Sequence, residues 1–344
     1  MSKVKEYLKT LPRRLGKTAA VIGAAVVLFA VFLLCQGVDP LSVYANMITS
    51  TLGTSYGIGQ VLIKSTPFIL IAVGTCVSAK AGLVNVGGEG QFAMGALFSV
   101  TVALFIGDSM PSFFGIVLMT IAGMIGGAFW SGLAGVFKIK ANMNETLTTL
   151  IMNYIAYQIV SYFVFNQLKD PDSFNWPQTA EISESLQLPR IWGKVTIGII
   201  IALLAAVLIW LMISKSKWGY SLRVIGGNAN AALHAGINVQ KVQMIAMLIS
   251  GALAGFAGAI EISGVEERLR QTTGANYGYL GFLAAWMAWN NPAAAIFTAV
   301  VIGFLSVAGN VLEISSALPS STIQILMALV LLAILWKGKE KKSA

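Results

Sequence analysis

Apolar stretches long enough to cross a bilayer recur along almost the whole of this chain, and they leave it few ways to fold. A helical crossing takes about 20 predominantly apolar residues. In lipid only segments that satisfy their own backbone hydrogen bonds persist, which leaves helices and closed barrels. Hydropathy and charge together predict an all-α polytopic integral membrane protein of about ten transmembrane helices. The expected spans are 18–36, 56–79, 90–107, 113–136, 144–166, 195–214, 242–262, 278–290, 292–312 and 319–336. A charged fraction of 11% over 344 residues and a mean hydropathy of +0.77 exclude a soluble fold, since soluble domains carry about 25% charged residues. The first run follows a long tail, and no small-residue cleavage site follows Cys35. It is therefore expected to remain as a span rather than act as a signal peptide. Cys35 and Cys76 lie in apolar segments without CxxC spacing and imply neither a disulfide nor a metal site.

The net charge of +9 reports topology rather than a nucleic-acid partner. With both termini placed in the cytoplasm, 17 of the 23 Lys and Arg fall on that side, as the positive-inside rule requires. Residues 1–17 and 337–344 then form basic cytoplasmic tails around a transmembrane domain at 18–336. The N-terminal tail suits the anionic headgroups of the lipid bilayer. Residues 167–194 form a polar external loop, and 215–241 form the main cytoplasmic loop.

Two places break the helical pattern. The stretch 278–290 is too short to cross, and Gly82, Gly87, Gly88 and Gly90 interrupt the apolar run at 80–90. Broken or half-length helices in corresponding positions point to a transport pathway, and suggest duplicated halves near spans 2–5 and 7–10.

Within the cytoplasmic loop, Gly226-Gly227-Asn228-Ala229-Asn230-Ala231-Ala232-Leu233-His234-Ala235-Gly236-Ile237 encodes a short helix. Asn228 is suited to cap its start, and Gly236 to end it in the left-handed conformation. A helix of about seven residues is marginal by itself, so its place is that of a docking element for another protein. In Gly82 through Gln91, Asn85, Glu89 and Gln91 either line a polar path or fasten a broken helix, with Glu89 as a cap or an ion-pair partner of Lys80. Asn144 caps the fifth span, with Glu145 in its first turn. Asn153, two turns further, either makes an interhelical hydrogen bond or faces the pathway. Asn290-Asn291-Pro292 reads as a cap and first-turn proline. Gly251, Gly255 and Gly258 read as close helix packing.

No catalytic constellation is present. Gly16-Lys17-Thr18 resembles the end of a phosphate-binding loop, but Leu11 stands where the pattern needs Gly. His234 has no second ligand residue nearby.

Together these stretches resemble the permease subunits of bacterial ATP-binding-cassette importers of the ribose and branched-chain amino acid group, with most similarity to nucleoside permeases served by basic-membrane-protein-type lipoproteins. The cytoplasmic signature is met at Gly226, Asn228, Ala231, Ala232, Gly236 and Ile237, with Ala229 in place of Pro. The nucleoside pattern is met from Gly82 to Gln91, at Asn144 and Glu145, and from Asn153 through Ala156. The resemblance implies a non-enzymatic, multi-pass chain of the bacterial plasma membrane. Its implied partners are ABC ATPase subunits, a second homologous permease and an extracellular lipoprotein substrate-binding protein. ATP and magnesium would sit on the ATPase, with no cofactor on this chain. Gly227, Asn228, Ala231, Ala232, Gly236 and Ile237 would form the coupling helix.

No buried basic residue is expected in the span interiors, which suits a neutral polar cargo. Asn85, Gln91, Asn153 and Tyr154 can hydrogen-bond and stack with a nucleoside, or accept a simple sugar. The competing expectation is an ion-gradient-driven secondary transporter, with Glu89 and Glu145 as proton or sodium sites.

Overall fold

Residues 23–174, 176–316, 319 and 321–340 are described in a computed structural model of the chain. The basic tail at 1–17, the start of the first expected span and residues 341–344 lie outside them. The chain divides into two units, residues 62–303 and residues 1–61 with 304–344.

In the second of these, helix α1 (Gly23–Cys35) meets α2 (Pro40–Leu52) at a bend of 115°. The bend has a local cause. Gly37 adopts φ +75°, and Asp39 then caps α2 by accepting from the amides of Leu41 and Ser42, with Pro40 at the first helical position. Tyr44 Oη donates to Val26 O at 2.7 Å and ties the pair. Helix α3 (Ser55–Lys80) starts in this unit, and α13 (Thr322–Glu340) ends it.

The larger unit holds most of α3, then α4 (Gly88–Ile106), α5 (Ser112–Ala141), α6 (Glu145–Phe165), α7 (Gly198–Lys215), α8 (Lys217–Gly227), α9 (Ala229–His234), α10 (Val239–Glu261), α11 (Tyr277–Met287) and the start of α12 (Pro292–Ser316). A π-helical turn at Ile262–Glu266 continues α10. Among the described residues seven helices are long and apolar enough to cross a membrane, or eight if the bent α1–α2 pair counts as one span. That is fewer than the ten expected. The stretch at 278–290 is the 11-residue α11, and α13 is apolar only over Thr322–Leu332. Helix α13 also runs on to Glu340, into the stretch expected to be tail.

Helices α4, α5 and α10 meet through glycine. A Cβ on Gly255 of α10 would stand 2.1 Å from Gly123 O of α5, and one on Gly95 of α4 would stand 2.2 Å from Gly255 Cα. Backbones this close gain dispersion over their whole length, the usual route to helix association without a hydrophobic drive. Ser131 Oγ adds a bond to Met247 O at 2.7 Å. The small-residue spacing read from Gly251, Gly255 and Gly258 is thus realised. Gly255→Leu is expected to force α5 from α10 at a cost of about 3 kcal/mol, the upper range for overpacking. A lower midpoint of thermal aggregation in detergent would register it, and an unchanged midpoint would contradict the contact.

The polar stretch 167–194 is more ordered than a loop. Thr179 N donates to Leu269 O at 2.9 Å, Ile182 N to Glu267 O at 2.8 Å and Leu188 N to Ser263 O at 2.7 Å. Arg190–Glu267, Arg268–Glu181 and Arg270–Glu266 ion pairs follow the same seam. At its end β1 (Arg190–Trp192) and β2 (Val195–Thr196) form a two-stranded antiparallel sheet, which with the bridges Lys169–Thr179 and Gln178–Arg270 departs from an all-α architecture. Asp108, between α4 and α5, accepts from the hydroxyls of Ser183 and Ser185, which hold its carboxyl below the usual carboxylate range.

Candidate functional site

The two breaks read from the sequence meet in space. Helix α4 starts at Gly88 after the irregular stretch 82–87, and α11 starts at Tyr277 after residues 267–276. Their N-termini abut so closely that a Cβ on Gly278 would lie 2.0 Å from Glu89 N and 2.4 Å from Gly88 C. Each helix N-terminus carries about half a positive charge and amides without helical partners. Glu89 answers both. It lies in the first turn of its own helix and is only 2% exposed. Its Oε1 accepts from Asn276 N and Tyr157 Oη, and its Oε2 from Gly278 N at 2.6 Å and Tyr279 N at 3.3 Å. One carboxylate therefore caps a helix nearly two hundred residues away in sequence. Asn276, at φ +70°, makes no side-chain cap of its own.

The stretch before α4 is held by α6. Asn153 Oδ1 accepts from Gly90 N at 2.9 Å, while its Nδ2 donates to Val86 O at 3.0 Å and Tyr279 Oη at 3.3 Å. Thr149 Oγ1 accepts from Val86 N at 3.2 Å. Asn85 and Gln91 exchange hydrogen bonds at 3.0 and 3.2 Å, and Asn85 also donates to Ser250 Oγ at 3.0 Å. Non-helical backbone inside a membrane protein needs partners of this kind, because lipid supplies none. Asn85, Glu89, Gln91 and Asn153 thus come together as one buried network, with their hydrogen-bonding groups directed at the protein itself. Tyr154 stands apart, 64% exposed on another face of α6.

The loop between α7 and α10 carries the second candidate site. Asn228 caps α9 by accepting from Asn230 N at 3.0 Å and Ala231 N at 3.1 Å. Gly236 (φ +76°) closes it, with Gly236 N donating to Leu233 O and Ile237 N to Ala232 O, both at 3.0 Å. That paired pattern is a Schellman ending. Ala232 is fully buried, whereas Gly227, Asn228, Ala231, Leu233 and Gly236 are exposed. Leu222, Ile225 and Ala232 pack with Val77 and Ala81 at the end of α3 and with Val242 and Ala246 of α10. Where α8 ends, no side chain intervenes: a Cβ on Gly226 would sit 2.5 Å from Lys80 O. The loop therefore bears directly on the turn that opens the irregular stretch 82–87.

Some expectations hold and others change. Glu89 has no ion pair with Lys80 among the described residues; backbone amides and Tyr157 take its place. Glu145 pairs with Lys138 at 2.8 Å, and Asn144 caps α6 through Thr146 N and Leu147 N. Asn291 caps α12 through Ala293 N at 3.1 Å. Among the described residues no Lys or Arg is fully buried in a span, but half-buried Lys64 of α3 reaches Tyr277. Buried Glu261 and the tyrosines Tyr157, Tyr277 and Tyr279 carry no signal in the sequence, because their partners lie on other helices and no local spacing announces them.

Residues 57–335 match the model of a family described as branched-chain amino acid transport system, permease component. The chain is similar to the guanosine ABC transporter permease protein of Bacillus subtilis, 32% identical over 314 residues covering 88% of each chain. It is also similar to a nucleoside ABC transporter permease protein of Lactococcus lactis, 30% identical over 80% of this chain and 78% of that one. The glucose ABC transporter permease protein of Haloferax volcanii is 29% identical over 94% of this chain and 88% of its own length.

Proposed function

Because the chain belongs to the family of branched-chain amino acid transport system permease components, we propose that it forms one part of the pathway by which an ATP-driven importer moves a nucleoside into the cell. It is a membrane permease of an ABC transporter, not itself an enzyme. That membership displaces the ion-gradient-driven secondary transporter expected as the competitor. The cargo reading is carried by the relatives named for guanosine and nucleosides, which match over 80% or more of this chain. A simple sugar is the second reading, favoured by the glucose relative.

In this proposal ATPase subunits bind ATP and magnesium, a second homologous permease completes the pathway, and a lipoprotein delivers the solute from outside. Both termini lie in the cytoplasm, and α1, α11 and α13 complete a set of about ten full and partial crossings. Helix α9 is the lever. Its exposed Leu233 and small residues suit a groove on an ATPase subunit. Movement of α9 and α8 passes through the Gly226 contact at Lys80 into the stretch 82–87. From there it reaches the junction at Glu89 and Gly278, where α4 and α11 move as a pair. Nucleotide shifts the balance of states only through contacts that differ between them.

Since Asn85, Glu89, Gln91 and Asn153 are occupied by protein partners, they act mainly by holding the junction, and half-exposed Tyr157 and Tyr279 offer aromatic faces beside it. Uptake of labelled guanosine by cells expressing the full transporter is expected to survive collapse of ion gradients and to stop on ATP depletion. It should be inhibited by other nucleosides more than by glucose. Uptake that follows the ion gradient instead would overturn the proposal.

A further inference from the structure

A second polar cluster grips the first turn of α11 through its first side chain, Tyr277, where Glu89 holds its backbone amides. Tyr277 Oη donates to Glu261 Oε1 at 3.2 Å and accepts from Lys64 Nζ. The ammonium also lies 4.7 Å from the Tyr277 ring centroid. Phe68 and Phe92 hold the same ring edge-on, with centroids at 5.3 and 5.5 Å. Glu261 is 2% exposed, and among the described residues it has no ion pair of its own; Glu266 is taken by Arg270. The carboxylate and the ammonium thus balance each other through one phenol; Phe68 and Phe92 pack on its ring, and Ile63, Thr66, Thr196 and Ile260 line the space beside Glu261.

We propose that Lys64, Tyr277 and Glu261 form a charge clamp, a positioning unit that sets where α11 starts relative to α3 and α10 and so sets the rate of transport. It rests on the importer reading for its consequence, though not for its existence. Helix α11 has 11 residues and no side-chain cap of its own, too short to hold its place unaided. Glu89 fixes its amides, and the clamp fixes its first side chain. The buried carboxylate and the half-buried ammonium come from separate helices, α10 and α3, so a shift of either helix must carry Tyr277 with it or separate them. Separation is unfavourable because an unpaired buried charge is far less stable than a balanced pair or none.

The distinguishing consequence is rescue. Lys64→Met or Glu261→Gln alone strands a charge, whereas the double variant strands none. In the full transporter each single variant is expected to lower the maximal rate of ATP-dependent guanosine uptake per molecule by about tenfold, a scale typical of coupling between contacting groups. Amide exchange of residues 277–287 should rise by about the same factor. The double variant is expected to recover most of both, and Lys64→Arg to keep both. Should a single variant fail to accumulate, recovered accumulation in the double variant supports the clamp, and its absence counts against it. Wild-type rate and exchange in the single variants, or a double variant whose loss is the product of the two, would overturn it. If the wild-type transporter moves no guanosine, the importer cargo is wrong while amide exchange still decides the clamp.

Discussion

Glu89→Gln is expected to abolish transport and to loosen α11 in the same variant. Both carboxylate oxygens are in use, together accepting from three backbone amides and Tyr157. Glutamine keeps one acceptor and turns an NH2 group toward amides that need acceptors themselves. Hydrogen bonds to a charged group contribute about 1.5–3 kcal/mol each, and the two helix N-termini lose the anion that suits them. A loss of about 3 kcal/mol or more at the junction follows, enough to free an 11-residue helix. Uptake is expected to fall below about one tenth of wild type, with faster amide exchange over 277–287 and lower yield. Glu89→Asp should fail almost as badly, because the shorter side chain cannot span Gly278 N and Tyr157 Oη together. A Gln variant with altered substrate affinity but unchanged exchange would make Glu89 a solute contact instead. One with wild-type uptake would remove it from the mechanism.

Gly236→Arg is expected to leave the chain in the membrane at normal levels and yet stop transport. A Cβ at Gly236 meets nothing within 4 Å, so the arginine projects outward from the end of α9 without disturbing the packing of Ala232, Val77 and Val242 beneath. The backbone must still hold φ +76°, which costs a non-glycine residue about 1–2 kcal/mol. That strain alone does not unfold the loop. What changes is the exposed face of α9, which the proposal assigns to an ATPase subunit. Gly236→Ala separates the two effects, since it carries the same strain without the bulk. It is expected to keep most of its activity, while the arginine variant loses about a hundredfold or more, as truncation or obstruction at an interface centre can. Co-purification of the ATPase subunits is the direct measurement. Retained co-purification and uptake in the arginine variant would show that this face is not the docking surface.

Local signals were the ones that could be read in advance. Asn228, Asn144 and Asn291 cap the helices they precede, because capping uses amides two or three residues away. Gly236 adopts the left-handed turn it was assigned, because that demand is met within one residue. The breaks at 80–90 and at 278–290 were likewise visible as glycine density and as insufficient length. The stretch 167–194 was not, since its order comes from pairing with residues 263–270, which no periodicity within it records. Nor does an apolar run say whether its helix completes the passage: among the described residues seven helices are long and apolar enough, where about ten crossings are expected.

From its sequence alone this chain is bound to be a helical membrane protein with two interrupted helices and a capped short helix in its longest basic loop, since apolar length, charge asymmetry and caps act over a few residues. Only the tertiary structure decides that the two interruptions face each other, that Glu89 serves the helix beginning at Tyr277, and that Lys64 and Glu261 share a phenol. Those partners lie 16 to 213 positions apart along the chain. Burial makes them necessary, since a charge or a free amide shut away from water must find a partner wherever the packing of the helices brings one.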